Sequence, residues 1–315
     1  MKMFLKRKDK LNEVMYENER KIRRILFFRR VLVYFLLTVF AIFIIVPFYW
    51  MILTSLKVDD PAAGAANIFR VPPSLWLWPR DWEINNYWLV ITGEVPYGRY
   101  MFNTVIVAAI STAGTVFTTI FAAFAFARLN FRGRDAFFML LIATMMIPGE
   151  MFVITNFLTV SWLGWVANQT FAEALAAMTL PFMTSIFYIF FLRQTFKQVP
   201  NELYYAAKVD GTTDFKYLWK VMVPIAMPTI ITITILNAMG TWNAFIWPNL
   251  VTQFNDMHRL VSNGLRGASY VNEAGRTLFN QQMAAAFFVT FPLLVTFLLL
   301  KKYIMRGVSR SGIKG

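Results

Sequence analysis

Pro200-Asn201-Glu202-Leu203-Tyr204-Tyr205-Ala206-Ala207-Lys208-Val209-Asp210-Gly211 leads through Val221-Met222-Val223-Pro224 to Pro228, a short polar segment set between two strongly apolar ones. Pro200 suits the first turn of a helix, and Glu202 complements the positive helix start. Leu203, Ala206 and Ala207 fall at i, i+3 and i+4, a spacing that predicts one shared face. Gly211 supplies a helix stop that tolerates positive φ. Thr212 or Thr213 can cap a second helix, in which Phe215, Leu218, Trp219 and Met222 repeat at i, i+3, i+4 and i+7. Two helices meeting at Gly211 make a compact knob. The small Ala206 and Ala207 let such a helix enter a narrow cleft, and Asp210 is placed to fix the turn or pair with a cation. The spacing alone leaves open a plain amphipathic connector with no partner.

Working outward, the chain of 315 residues is 57% hydrophobic and 17% aromatic, with charge concentrated between the apolar runs. This is the composition of a polytopic membrane protein. The net charge of +14 fits basic residues flanking apolar spans; no folded basic face remains for nucleic acid once the spans are removed. With no cysteine and one histidine, a disulfide framework or thiolate metal site is excluded, and His258 reads as an ordinary loop residue. Residues 1–30 are too long and too charged for a cleavable signal, so an uncleaved first span is expected.

Six segments are long enough to cross about 30 Å of hydrocarbon: 31–55, 101–127, 136–157, 172–192, 221–246 and 283–301. Only helices close their own hydrogen bonds in lipid. Lys and Arg number eleven in 1–30, three in 128–135, five in 193–220 and five in 301–315, against four in 56–100, none in 158–171 and three in 247–282. That bias predicts both termini in the cytoplasm. Trp76, Trp78, Trp82 and Trp88 then lie in the first outer loop, where they can anchor at the interface. Pro47, Pro148, Pro181, Pro224, Pro228 and Pro292 sit in or beside spans and predict kinks. Residues 1–30 carry mixed charge and can form an amphipathic helix on the inner surface.

A charge at the bilayer centre costs roughly 2.5–3.5 kcal/mol and usually faces a cavity or partner. Glu150, beside the Pro148-Gly149 kink, is a candidate for lining a pathway, although it and Glu173 fall nearer the outer ends of their spans. In the fifth span, Trp242 and Asn243 offer an aromatic face and an amide, groups that suit sugar CH surfaces and hydroxyls. Packing of Trp242 and Trp247 against lipid or helices is the alternative. An ion-coupled secondary transporter would predict inverted repeats and charged mid-span residues, and a membrane-embedded enzyme would need paired acids or a nucleophile constellation; neither pattern stands out.

The 200–224 stretch resembles the "EAA" coupling segment of ABC importer permeases. Pro200, Glu202, Leu203, Ala206, Ala207, Asp210, Gly211 and Pro224 match that motif, with Val209, Thr212 and Val223 as near equivalents. Tyr205 stands where the family carries a glutamate, so packing and a hydroxyl would replace that carboxylate and Glu202 would carry the charge. The resemblance continues in Asn103-Thr104-Val105-Ile106, in Phe126-Ala127-Arg128-Leu129, in Met146-Ile147-Pro148 and Leu163-Gly164, in Trp242-Asn243-Ala244-Phe245-Ile246-Trp247-Pro248, and in the tail from Gly307 to Gly315. The tail is close to that of carbohydrate-type members. The chain is identified as a member of the maltose-type, binding-protein-dependent permease family.

The resemblance implies an all-α integral membrane protein of six transmembrane helices, a type I ABC importer (MetI-like) bundle. Residues 1–30 would be a cytoplasmic segment and 31–97 the first helix and outer loop. Residues 98–301 would be the ABC transmembrane type-1 domain, and 302–315 a cytoplasmic tail. It implies a sugar-translocating permease that binds no cofactor of its own, with ATP and Mg on a separate ATP-binding subunit dimer. No phosphate-binding Gly-x-x-x-x-Gly-Lys-Ser/Thr loop is present in this sequence. A second homologous permease and an extracytoplasmic sugar-binding protein complete the expected assembly. The coupling residues would be Glu202, Leu203, Tyr205, Ala206, Ala207, Asp210 and Gly211. The binding protein would dock on the 248–282 loop, with Asn263, Gly264, Leu265 and Arg266 as candidates, and Gly312 and Gly315 would let the tail approach the ATPase.

Overall fold

The computed structural model describes residues 2–57, 82–93, 95–166, 170–267, 270 and 278–309; of these, 2–20, 266–267 and 302–309 are described by backbone alone. Every regular element among the described residues is helical. In chain order these are α1 (Lys2–Ser55), α2 (Asn85–Thr92), α3 (Tyr97–Arg128), α4 (Arg134–Thr144), α5 (Phe152–Trp162), α6 (Phe171–Thr179), α7 (Ile186–Lys197), α8 (Asn201–Val209), α9 (Asp214–Tyr217), α10 (Val223–Trp242), α11 (Ile246–Val251), α12 (Val261–Gly267) and α13 (Phe279–Ser309).

Four described segments are long and apolar enough to span a membrane unbroken: Lys21–Ser55, Tyr97–Arg128, Asp214–Trp242 and Phe279–Lys301. The third and fourth expected spans differ from straight crossings. The third is two helices bent by 82°, Arg134–Thr144 and Gly149–Trp162, and the fourth is Phe171–Phe182 and Ile186–Lys197 bent by 52°. Proline is the common cause. Pro148 precedes the 3-10 turn Gly149–Met151, and Pro181 sits in the 3-10 turn Leu180–Phe182. The carbonyls freed at the second break are met from α3, where the Thr115 hydroxyl donates to Phe182 (3.3 Å) and the Thr118 hydroxyl to Met183 (2.5 Å). In lipid such side-chain donors are what makes a broken helix tolerable. The fifth span is offset from the expected 221–246: its helical run begins at Asp214, α10 ends at Trp242 with Asn243 as its cap, and 246–251 form the separate α11.

The α1 helix runs without a break through residues 30 and 31 and carries Pro47 inside it. From Lys21 to Phe48 every residue is exposed, and the helix packs on α13. The centre of the bundle is α3, flanked by α7 and α10, with α13 on the outer side of α10. At one end of α3 a core of Phe124, Phe196, Tyr217, Leu218, Met222 and Ala226 joins it to α7 and α10. At the other end two clusters, centred on Val107 with Trp247 and on Tyr97 with Tyr100, tie it to α6, α11, α12 and α13. A rise of 1.5 Å per residue puts these ends about 45 Å apart.

Candidate functional site: an anchored elbow and a cavity

At the first of these ends, α8 and α9 form the elbow that the sequence predicts. Helix α8 closes in a Schellman motif: the Gly211 N–H donates to the Lys208 carbonyl (3.1 Å) and the Thr212 N–H to the Ala207 carbonyl (2.8 Å). Gly211 stands at φ +72, with open space where a Cβ would lie. Its requirement is therefore backbone conformation alone. Gly211→Ala should cost about 1 kcal/mol and speed amide exchange at Thr212 roughly fivefold, measured by hydrogen–deuterium exchange in the folded chain. Unchanged exchange there would show that the turn does not need glycine. Thr213, rather than Thr212, caps α9, its hydroxyl accepting from the Lys216 N–H.

The elbow is braced across its turn. Asp214 accepts from the Tyr204 hydroxyl (2.8 Å) and pairs with the Lys208 ammonium (2.8 Å). Hydrogen bonding to Asp214 holds the Lys208 pKa above its ordinary range. The Tyr204 ring meets Tyr217 edge-on at 5.2 Å. Asp214 thus takes the ionic role expected of Asp210, which caps α8 exposed and has no side-chain partner among the described residues. Helix α8 itself splits its residues. Tyr204 and Ala207 turn toward the core, while Glu202, Leu203, Tyr205, Ala206 and Val209 point out. Ala207 therefore does not share the environment of Leu203 and Ala206.

The second helix departs further from its expected repeat. Between α9 and α10 lies a π-helical turn, Leu218–Met222, whose extra residue shifts the repeat. Leu218 and Met222 are buried, whereas Phe215 and Trp219 lie exposed beside each other and against Phe121. The outward apolar surface of the elbow is then Leu203, Tyr205, Val209 and Phe215, with Val209 88% exposed. Lys197, Lys208, Lys216 and Lys220, on the elements that make up this end of the bundle, are exposed. Arg128, absent from the expected set although it lies in a quoted motif, is 8% exposed. Its guanidinium donates to the Phe196 carbonyl (2.7 Å), to the Val199 carbonyl and to the Asn201 amide oxygen. A buried arginine ending an apolar helix is the signal that could have singled it out.

Toward the other end, a cavity of about 240 Å³ opens between α3, α6, α7, α10 and α11. Ser111, Tyr188, Asn237 and Thr241 give it polar groups, and Phe182 and Trp247 give it aromatic walls. Trp247 is held by its indole N–H, which donates to the Ala177 carbonyl (3.1 Å). The expected path residues are not among those that line this cavity. The Trp242 N–H is spent on the Val289 carbonyl of α13 (3.2 Å), next to the carbonyl that Pro292 leaves without its helical donor. Asn243 caps α10 by donating to the Met239 carbonyl (2.8 Å). Glu150 is exposed in the 3-10 turn between α4 and α5, and Glu173 closes a capping box with Thr170 at the start of α6.

Within the 248–267 region the candidates Asn263 and Gly264 are packed down, while Gln253, Phe254, Asp256 and Met257 of the same stretch are exposed. Asn263 is 1% exposed: its oxygen accepts from the Leu260 N–H (2.8 Å) and its amide donates to the Thr252 hydroxyl (3.0 Å). A Cβ on Gly264 would stand 2.4 Å from the Tyr100 ring. These two residues are thus structural where a docking surface was expected, because both ends of the amide are consumed inside and the glycine admits an aromatic ring. Leu265 is half-buried. The side chain of Arg266 and residues 268–269 and 271–277 lie outside the described residues, as do Trp76, Trp78, Gly312 and Gly315. His258 is no ordinary loop residue. The 3-10 turn Asp256–His258 buries its ring beside Phe171, and desolvation holds its pKa below the usual imidazole range.

Comparison with known proteins gives this geometry a family. The chain is 28% identical to the sn-glycerol-3-phosphate transport system permease protein of Yersinia enterocolitica over 280 residues, 88% of this chain and 94% of that one. It is 27% identical to the arabinooligosaccharides transport system permease protein of Bacillus subtilis over 269 residues, 85% of this chain and 90% of that one. Its fold is similar, with a TM-score of 0.74 at 22% identity, to a chain in the crystal structure of a bacterial ABC transporter involved in the import of the acidic polysaccharide alginate, covering 87% of this chain and 95% of that one. The family model for the binding-protein-dependent transport system inner membrane component matches residues 114–310, which hold the elbow, α3 from its middle onward and the cavity's α6, α7, α10 and α11. The protein is a member of that family, a membrane permease component of a binding-protein-dependent transport system.

Proposed function

We propose that this chain is the permease half of an ABC importer that carries a sugar or sugar-like polyhydroxylated solute across the cytoplasmic membrane. ATP and Mg are expected on a separate ATP-binding subunit dimer. Both termini and the elbow face the cytoplasm in this reading, as the Lys and Arg distribution favours. The observation that carries it is the elbow: apolar side chains held out into water on a base bolted to three spans. Large apolar groups kept exposed mark an interaction surface. A partner that gripped Leu203, Tyr205, Ala206 and Val209 would push on α8, and the Tyr204–Asp214–Lys208 brace would pass that displacement through the turn into α10. The relatives named for glycerol-3-phosphate and arabinooligosaccharides support a polyol or sugar as solute.

The cavity beside α10 is the better candidate for the solute path than Trp242 and Asn243, since Ser111, Tyr188, Asn237 and Thr241 line a space with aromatic walls. A second, homologous permease would lie along the open groove of α3 and α10, floored by Ala108, Ala109 and Ala113; small residues let helices approach closely. An extracytoplasmic binding protein would meet the opposite end of the bundle.

Because the chain has no cysteine, single-cysteine reporters have no background from this chain. Ala206→Cys should cross-link to the ATP-binding subunit in the assembled, transporting complex, and Tyr205→Ala should weaken ATP-driven uptake several-fold. An Ala206→Cys chain that never captures that subunit during active uptake would overturn the assignment.

A further inference from the structure

We infer that Arg128 and Arg193 form a reciprocal lock that makes α3, α7 and the elbow move as one body, so that Arg128 is a positioning residue for transport. This rests on the elbow being the point where force enters. The lock has two halves. From the last turn of α3, Arg128 reaches the Phe196 and Val199 carbonyls, where α7 ends, and the Asn201 side chain, where α8 begins. From α7, Arg193 reaches back to the Phe126 carbonyl, where α3 ends (3.1 Å), and to Asp135 at the start of α4 (3.3 Å). Its guanidinium also lies 3.6 Å from the Phe138 ring centroid. Both arginines are buried, at 8% and 5% exposure.

Each helix therefore supplies a cation that donates to carbonyls at the C-terminal end of the other. One cap alone would only finish a helix end. Two caps exchanged between the same pair of helices prevent either end from sliding without unsatisfying buried donors. The third contact, to Asn201, extends the pair to α8 through a guanidinium fork, which lysine cannot reproduce.

The test uses the complete importer in proteoliposomes, with spin labels on cysteines replacing Lys216 on α9 of the elbow, outside the proposed partner contact, and Asn130 just beyond α3, both exposed positions. The 216–130 distance should be single and unchanged between nucleotide-free and vanadate-trapped complexes. In R128Q and R128K the distribution should broaden and become state-dependent, and solute carried per ATP should fall about tenfold. N201A removes only the elbow contact, so it should broaden the distribution with about a threefold fall, and it carries the test should R128Q fail to assemble. A distance that shifts with nucleotide in the unaltered chain, or variants that change neither distance nor solute per ATP, would overturn the lock. Cross-linking from a chain that carries Ala206→Cys as its sole substitution reports separately on the ATP-binding subunit, so loss of that signal counts against the elbow reading and leaves the distance result to judge the lock.

Discussion

Val209→Glu should abolish ATP-driven uptake while leaving the bundle folded. Val209 is 88% exposed at the tip of α8 and touches none of the buried core, so a carboxylate there costs the isolated chain nothing through packing. In contact with a partner the same group would be trapped against apolar side chains. An uncompensated charge in such a setting costs about 3 kcal/mol or more, which is roughly a hundredfold in association. Co-purification of the ATP-binding subunit and solute-stimulated ATP hydrolysis are the measurements, with thermal unfolding of the detergent-solubilised chain as the control. Full recovery of the subunit with the variant would remove α8 from the contact. A matching change at Ala207, which packs inward, should instead disturb the fold first.

Asn103→Leu should have the largest effect on stability. Asn103 is fully buried on α3, and its amide donates to the carbonyls of Met257 (2.9 Å) and Arg259 (3.0 Å). Its neighbour Thr104 accepts from the Val261 N–H (2.8 Å). Together they pin the segment between α11 and α12 onto the end of α3. Leucine leaves two carbonyls without donors, at about 1–3 kcal/mol each, so a loss of about 3 kcal/mol is expected. Thermal unfolding should fall clearly, and the Val261 amide should lose exchange protection. Both staying at their unaltered values would show that this pin is redundant.

Local signals were the legible ones. The elbow could be read because its parts are short-range: a proline before α8, a glycine at its end, a threonine cap for α9. The apolar runs were equally plain, but hydropathy counts residues without reporting direction. It finds material for a third span in 136–157 and is blind to an 82° break within it, even though Pro148-Gly149 marks the place. Polarity misled at Asn263, since a hydrophilic side chain in a loop looks exposed until its two bonds to Leu260 and Thr252 are seen. The Lys208–Asp214 pair depends on how a turn closes, and the exchange between Arg128 and Arg193 on how helices distant in sequence come together. Contacts of that kind leave no periodic trace. Likewise the cavity gathers Ser111, Tyr188 and Asn237 from three helices, none conspicuous in its own span.

The π-helical turn at Leu218–Met222 sets the azimuth of everything before it. Each residue of an α-helix advances the chain by about 100°, so deleting one there would swing the surface bearing Val209 by about that angle around the axis of α10. Every bond inside α8 and α9 could survive intact, yet a motor approaching from its usual bearing would meet the wrong flank. The chain length between Thr213 and Val223 therefore governs partner fit as directly as any side chain does.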